Sequence, residues 1–235
     1  MRRVPALSTA FLIALAFGGA TSAAVASPSP SAQGAAVSST GIDEAALDAL
    51  IERARRDWRV PGLAIAIVEG DEVVYLKGFG QRDVARGLPV TPDTLFVGAS
   101  TTKAFTATTV AQLVDEGRLD FDAPVRTWLP AFAIADTDAA AQLSLRDMLS
   151  HRSGLPRHDL LWYNNAELRR DDLPTRMAAL ESSAPLRTRW QYNNLMYMLS
   201  GHAVETVSGM PWERRTREAL LEPLGMVRTN FAVSE

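Results

Sequence analysis

Residues Leu63, Ala64, Ile65, Ala66, Ile67 and Val68 form an unbroken apolar run. The turn Glu69–Glu72 and a second run, Val73 to Phe79, follow it. The pattern predicts a hairpin whose first strand is buried on both faces. That constrains the whole chain, because such a strand needs cover on each side and partners along its edges. Every later apolar segment has helical spacing or is broken by turn residues. The expected order is therefore one helix, one hairpin, then helices to the end, an α/β arrangement with very little sheet.

The leading helix is expected over 42–58. Apolar residues fall at 42, 46, 47, 50, 51, 54 and 58, acids open it and arginines close it. Residues 80–94 read as loop. A helix starting at Ser100 is expected to stop near Gly117, and it carries so little charge that it reads as buried. A helical or turn segment is expected over 119–130. Ser144 is placed to cap a short helix, Leu145 to Ser150, and the broken stretch 157–190 has one helix, Thr175 to Ser182. Two more helices run from Leu195 to Ser208 and from Trp212 to Leu221. There is no internal repeat.

Before this lies a different kind of sequence. Arg2 and Arg3, the apolar run Phe11 to Phe17 and the small residues Ala24, Val25 and Ala26 read as a Sec-type signal peptide over 1–26. Cleavage near Ala26 takes the net charge from −3 to −5. Residues 27–40, rich in Ser, Pro, Ala and Gly, read as a flexible linker. The domain proper then occupies 41–235, and the expected location is periplasmic or secreted, without a stable membrane anchor. The scattered, acid-balanced arginines give no nucleic-acid surface. There is no cysteine, hence no disulfide and no thiol nucleophile. Three histidines, at 151, 158 and 202, lack metal-binding spacing, so no metal and no organic cofactor is expected. Oligomeric state is not encoded in any visible feature.

Chemistry concentrates in two places. Ser100 and Lys103 form an S-x-x-K pair, one helical turn apart on one face. A helix start favours the negative charge of a serine alkoxide or an oxyanion. The lysine could take the serine's proton if its pKa were lowered, or support another base. Only two lysines, Lys77 and Lys103, occur among 22 arginines. Lys77, on the second strand, reads as a solvated side chain. The second place is Tyr192-Asn193-Asn194, a Y-x-N. A phenol beside an ammonium loses its proton more readily, and an asparagine amide can orient a substrate carbonyl or the lysine. A second triplet, Tyr163-Asn164-Asn165, lies in a loop, whereas Tyr192 directly precedes an apolar helix and is preferred.

Taken together, these stretches resemble the serine β-lactamase and penicillin-binding family, in its branch of class C β-lactamases, D-alanyl-D-alanine carboxypeptidases, D-aminopeptidases and esterases. The resemblance rests on Ser100-Thr101-Thr102-Lys103, on Leu149 to Pro156, on Tyr192-Asn193-Asn194 and on Pro223-Leu224-Gly225-Met226, in the family's order over about 42–231. It implies a β-lactamase/transpeptidase-like fold and an acyl-enzyme on Ser100. Lys103 and Tyr192 would manage its proton, Asn194 would hold the substrate's amide side chain, and the Ser100 N–H would serve as one oxyanion donor. The expected substrate is a small molecule or peptide: a β-lactam, a D-amino-acid peptide or an ester. His151 is expected to tie down the turn at Ser153 and Gly154 rather than to act as an acid or base, while His158 and Asp159 are candidates for the cleft wall. The family's third motif, K-T-G or H-x-G, is not found. The expectation is accordingly a C-terminally truncated hydrolase, its sheet incomplete, poorly stable and weakly active. The alternatives are an acylation-only or non-catalytic sensor module and an inactive fragment.

Overall fold

The computed structural model describes residues 41–232; the expected signal peptide and linker lie outside the described residues. Helix α1, Glu44–Asp57, begins where the Asp43 carboxylate accepts a hydrogen bond from the Ala46 N–H. Strands β1, Gly62–Glu69, and β2, Glu72–Asp83, form the expected antiparallel hairpin, with a bulge between Ile67 and Val68. The short strand β3, Leu88–Pro89, pairs with β2 inside the stretch expected to be loop, so the sheet order is β1-β2-β3.

The expectation for β1 needs correction. It is an edge strand covered on one face only. Leu63, Ile65 and Ile67 pack with Tyr75 and Phe79 of β2 against Leu47 and Ile51 of α1. Ala64, Ala66 and Val68 on the opposite face are exposed. Alternating alanines made a half-covered strand read as continuously apolar. The Lys77 side chain is 36% exposed, as a solvated lysine would be, but it is also ion-paired. It reaches Glu44 at 2.8 Å and Asp48 at 2.9 Å on α1, and Asp48 also accepts from the Tyr75 hydroxyl. Those two acids hold the Lys77 ammonium above its usual value.

The helical body carries the main core. Helix α2, Thr102–Asp115, follows a 3₁₀ turn over Ala99–Thr101. It is buried on one face rather than throughout: Thr106, Thr109, Val110 and Leu113 are inside, whereas Ala104 and Thr108 are exposed. Helix α3, Thr137–Gln142, capped by Asp136, was not anticipated, because its alanines carry no periodic signal. Helix α4, Leu145–Leu149, starts with the expected Ser144 cap, completed by Asp147 into a reciprocal capping box. Helix α5 is Leu173–Arg176, earlier and shorter than expected, because Pro174 sits in its first turn, where proline fits, and does not interrupt it. Helix α6, Asn194–Ser208, ends on Gly209 at φ 75°, a left-handed cap that suits glycine. Helix α7, Trp212–Thr216, passes into a π-helical turn over Arg217–Leu221. Val110 and Leu113 of α2 meet Leu195, Leu199 and Ala203 of α6 in one fully buried cluster that also takes in Leu145 and Met148 of α4.

Asp147 ties this body to the segment leading into the site. Its buried carboxylate accepts from the Ser144 N–H and hydroxyl and, at 2.9 Å on each oxygen, from the Arg187 guanidinium. Burial pushes this carboxyl up, but the bonds from Arg187 and Ser144 outweigh it and hold it below its usual value. A depressed carboxyl contributes stability that is full above about pH 4 and is lost as the pH falls through the folded-state value. Asp147→Ala is expected to cost about 2 kcal/mol at pH 7, for a lost cap and an orphaned guanidinium partner. The difference from the parent should shrink in urea melts repeated at about pH 3; an equal cost at both pH values would contradict the assignment.

Candidate active site

The 3₁₀ turn puts Ser100 at the surface, one turn ahead of Lys103. Three acceptors surround the Lys103 ammonium: Asn194 Oδ1 at 2.7 Å, Tyr192 Oη at 2.6 Å and Ser100 Oγ at 3.3 Å. An ammonium has three hydrogens and no lone pair, so this set uses all of its donors. Ser100 Oγ and Tyr192 Oη are 2.6 Å apart. The hydrogen bond from Lys103, and then that with Ser100, hold the Tyr192 phenol below its usual value. The four residues singled out from the two short motifs are thus in direct contact. Tyr163, the rejected alternative, is largely exposed and packs against Trp162.

Two interleaved segments deliver Tyr192. Backbone bonds run from Ser183 N–H to Gly154 O, from Arg187 N–H to Arg152 O and from Gln191 N–H to His151 O. Gly154 has φ +80°, and a Cβ there would lie 2.3 Å from the Ala184 carbonyl oxygen, so the crossing admits only glycine. Within the same turn the buried Ser153 hydroxyl accepts from the Leu155 N–H. His151 is buried, at φ 59°, and its Nδ1 accepts from the Asn193 N–H at 3.1 Å. That bond requires the proton of the neutral ring on Nε2. Burial, and then the charge of Lys103, hold the imidazole below its usual value. Its ring lies 4.7 Å from that of Tyr192.

Asn193, which the sequence reading passed over, is fully buried. Its side chain caps α6 by accepting from the Met196 N–H and donates to the Pro156 carbonyl at 2.7 Å. The signal was available: an asparagine directly before an apolar helix is a cap in waiting. Tyr197, one turn into α6, was also missed. Its hydroxyl donates to the Leu149 carbonyl, and its ring lies 5.3 Å from Lys103 Nζ. Asp159, by contrast, does reach the site, through Asn194 Nδ2 at 3.3 Å. His158 instead contacts the Glu181 carbonyl through Nε2.

Beside Ser100 opens a cleft of about 440 Å³. Ser100, Lys103 and Asn194 line it together with Trp162, Met198, Gly201, Trp212 and Arg170. Arg170 is satisfied by Glu205 and by Glu213 at 2.7 Å, so beside Ser100, Lys103 and Asn194 these walls offer mainly apolar surface. A few convergent polar groups beside an apolar wall are the usual make-up of a small-molecule site.

Comparison with known proteins places the chain in a family. A sequence model of the Beta-lactamase family matches residues 47–235. Unguisins hydrolase ungD' of Aspergillus campestris is 33% identical over 76% of this chain and 34% of its own length. Esterase EstB of Burkholderia gladioli is 34% identical over 81% of this chain and 52% of its own. The octameric penicillin-binding protein homologue from Pyrococcus abyssi superposes with a TM-score of 0.71 at 31% identity, covering 82% of this chain and 45% of its own. The chain therefore spans about a third to a half of the length of these relatives.

The lowered Tyr192 phenol is directly measurable. In an ultraviolet titration of tyrosinate absorbance, one tyrosine is expected to ionise ahead of the rest. Lys103→Ala should return that component toward the usual phenol value of about 10. Tyr192→Phe should remove it; an early component that survives Tyr192→Phe would assign the shift to another ring.

Proposed function

The chain belongs to the β-lactamase family, with a β-lactamase/transpeptidase-like fold, and from that premise we propose that it is an exported serine acyl hydrolase. Its substrate would carry an amide, β-lactam or ester carbonyl. The observation that carries the reading is the contact of one phenol oxygen with both Ser100 Oγ and Lys103 Nζ. Export rests on the signal-like residues 1–26.

In the proposed mechanism Tyr192, as phenolate, accepts the Ser100 proton while Ser100 Oγ forms a bond to the substrate carbonyl carbon. The carbonyl electron pair moves to oxygen, where the Ser100 N–H would be one donor. When the tetrahedral adduct collapses, the bond to the leaving group breaks and the Tyr192 proton passes to that group. A water molecule then repeats the sequence on the acyl-serine, its proton taken by Tyr192 and passed back to Ser100. With all three donors of Lys103 engaged, its role is to stabilise the phenolate, not to accept the proton. Asn194, beside the attacked carbon, would bind a carbonyl of the substrate. The apolar residues that line the cleft, Trp162, Met198 and Trp212 among them, favour substrates with an apolar substituent.

Intact mass after incubation with a fluorescent penicillin and with p-nitrophenyl butyrate tests the reading. One adduct on the parent chain and none on Ser100→Ala is the expected result. Tyr192→Phe should slow its formation by roughly 10²–10⁴-fold, the usual worth of a general base. An adduct that persists instead of turning over would indicate an acylation-only sensor. An adduct on Ser100→Ala would remove Ser100 from the nucleophile's role.

A further inference from the structure

We infer that Asp159 is a positioning residue that fixes which way the Asn194 amide faces, and with it the kind of substituent the cleft accepts. The inference rests on the proposed role of Asn194 and extends it. Asn194 lies between two groups of opposite hydrogen-bonding character. The Lys103 ammonium can only donate and meets Oδ1 at 2.7 Å; the Asp159 carboxylate can only accept and faces Nδ2 at 3.3 Å. Turning the amide over would set Nδ2 against the ammonium and Oδ1 against the carboxylate. Both contacts would then be repulsive, so the orientation follows from the chemistry of the neighbours.

Asp159 is itself held. Trp162 Nε1 donates to its Oδ1 at 3.0 Å, and Arg157 Nε donates to its Oδ2 at 2.5 Å. The backbone makes a left-handed step at His158, φ 47°, directly before the 3₁₀ turn Asp159–Leu161 that carries the carboxylate inward. Burial pushes the Asp159 carboxyl up, but its bonds from Arg157, Trp162 and Asn194 outweigh this and keep it ionised.

Nδ2 has two hydrogens, and the contact with Asp159 uses one. The other is left to donate to a substrate acceptor in the cleft, which Asn194 lines. The amide thus presents a donor to the substrate. The class selected is an acyl donor with a second carbonyl close to the scissile one, such as an acylamino ester or amide, over a plain alkyl ester.

Two readouts on Asp159→Ala and Asp159→Asn test this, with thermal melts confirming that each variant folds. The first is the side-chain ¹⁵N–¹H₂ signal of Asn194, assigned by its loss in Asn194→Ala. Asp159→Ala should move one Nδ2 proton upfield, toward the position of a solvated amide, while Asp159→Asn, which keeps an acceptor oxygen, should retain most of the shift. The second is kcat/KM for the p-nitrophenyl ester of N-acetylglycine against p-nitrophenyl butyrate. In Asp159→Ala the acylamino ester should lose about tenfold more than butyrate, the worth of one hydrogen bond, and Asp159→Asn should recover most of that difference. An unmoved Asn194 signal, or equal losses on both esters, would overturn the inference. If the parent chain hydrolyses neither ester, the acyl-hydrolase reading fails, and the amide signal alone decides the role of Asp159.

Discussion

Two of the three hydrogen bonds of Lys103 join parts of the chain about 90 residues apart, and the arrangement of the site depends on them. A partly buried ammonium is costly unless its donors are met. Here the acceptors come from the turn before α2, from Tyr192 just ahead of α6 and from Asn194 at the head of α6. Those are the two helices whose Val110, Leu113, Leu195 and Leu199 fill the centre of the core. Packing therefore sets the spacing of the proposed catalytic groups, and those groups in turn satisfy Lys103, which the packing draws inward. A shift of α6 against α2 would break both at once, which makes the contact a condition of the fold as well as of the chemistry.

Tyr192 has a second constraint, since it belongs to neither helix. It arrives on an extended segment bonded along its length to the turn at 151–154. His151 adopts a left-handed conformation that costs a non-glycine residue on the order of 1–3 kcal/mol. Its carbonyl, its Nδ1 and its ring all meet the Tyr192 segment, through Gln191, Asn193 and Tyr192 itself. Strain in the turn is offset by contacts that hold the phenol in position. The expectation placed this histidine's bonds in the turn at Ser153 and Gly154; its ring nitrogen instead meets the Asn193 N–H and its carbonyl the Gln191 N–H, both on the Tyr192 segment.

Much of this was legible in the chain. A lysine among 22 arginines, three residues after a serine at a helix start, stands out without any structure. A tyrosine directly before an apolar helix does too. What stayed hidden depends on tertiary neighbours. Nothing local to Asp159 says that it faces Asn194, 35 residues on. Nothing in the spacing of Trp162, Met198 and Trp212 says that they share a wall. The pairing of Lys77 was not legible because its partners, Glu44 and Asp48, are on another element. The strand 62–69 read as doubly buried because alanine is compatible with either environment, and only the sheet order decides. Caps and turns were easier: Ser144, Gly209 and the Ser-Gly turn act through bonds a few residues away or through backbone geometry.

The choice of a phenol beside an imidazole as the proposed base also follows from the neighbouring charge. Both rings lie near Lys103, and in both the ammonium favours the deprotonated form. For His151, burial adds to that effect, so its imidazole is a weakened base, and its Nδ1 lone pair is already committed to the Asn193 N–H. For Tyr192 the effect starts from a phenol that ordinarily ionises near pH 10. Lowering it brings the phenolate closer to the working range while leaving it a stronger base than a depressed imidazole. The same ammonium thus enables one ring and disables the other. A histidine in the place of Tyr192 would have to become a cation next to Lys103 on taking the serine proton, whereas the phenolate becomes neutral. Charge is therefore dispersed at the base in the step that creates it on the substrate oxygen.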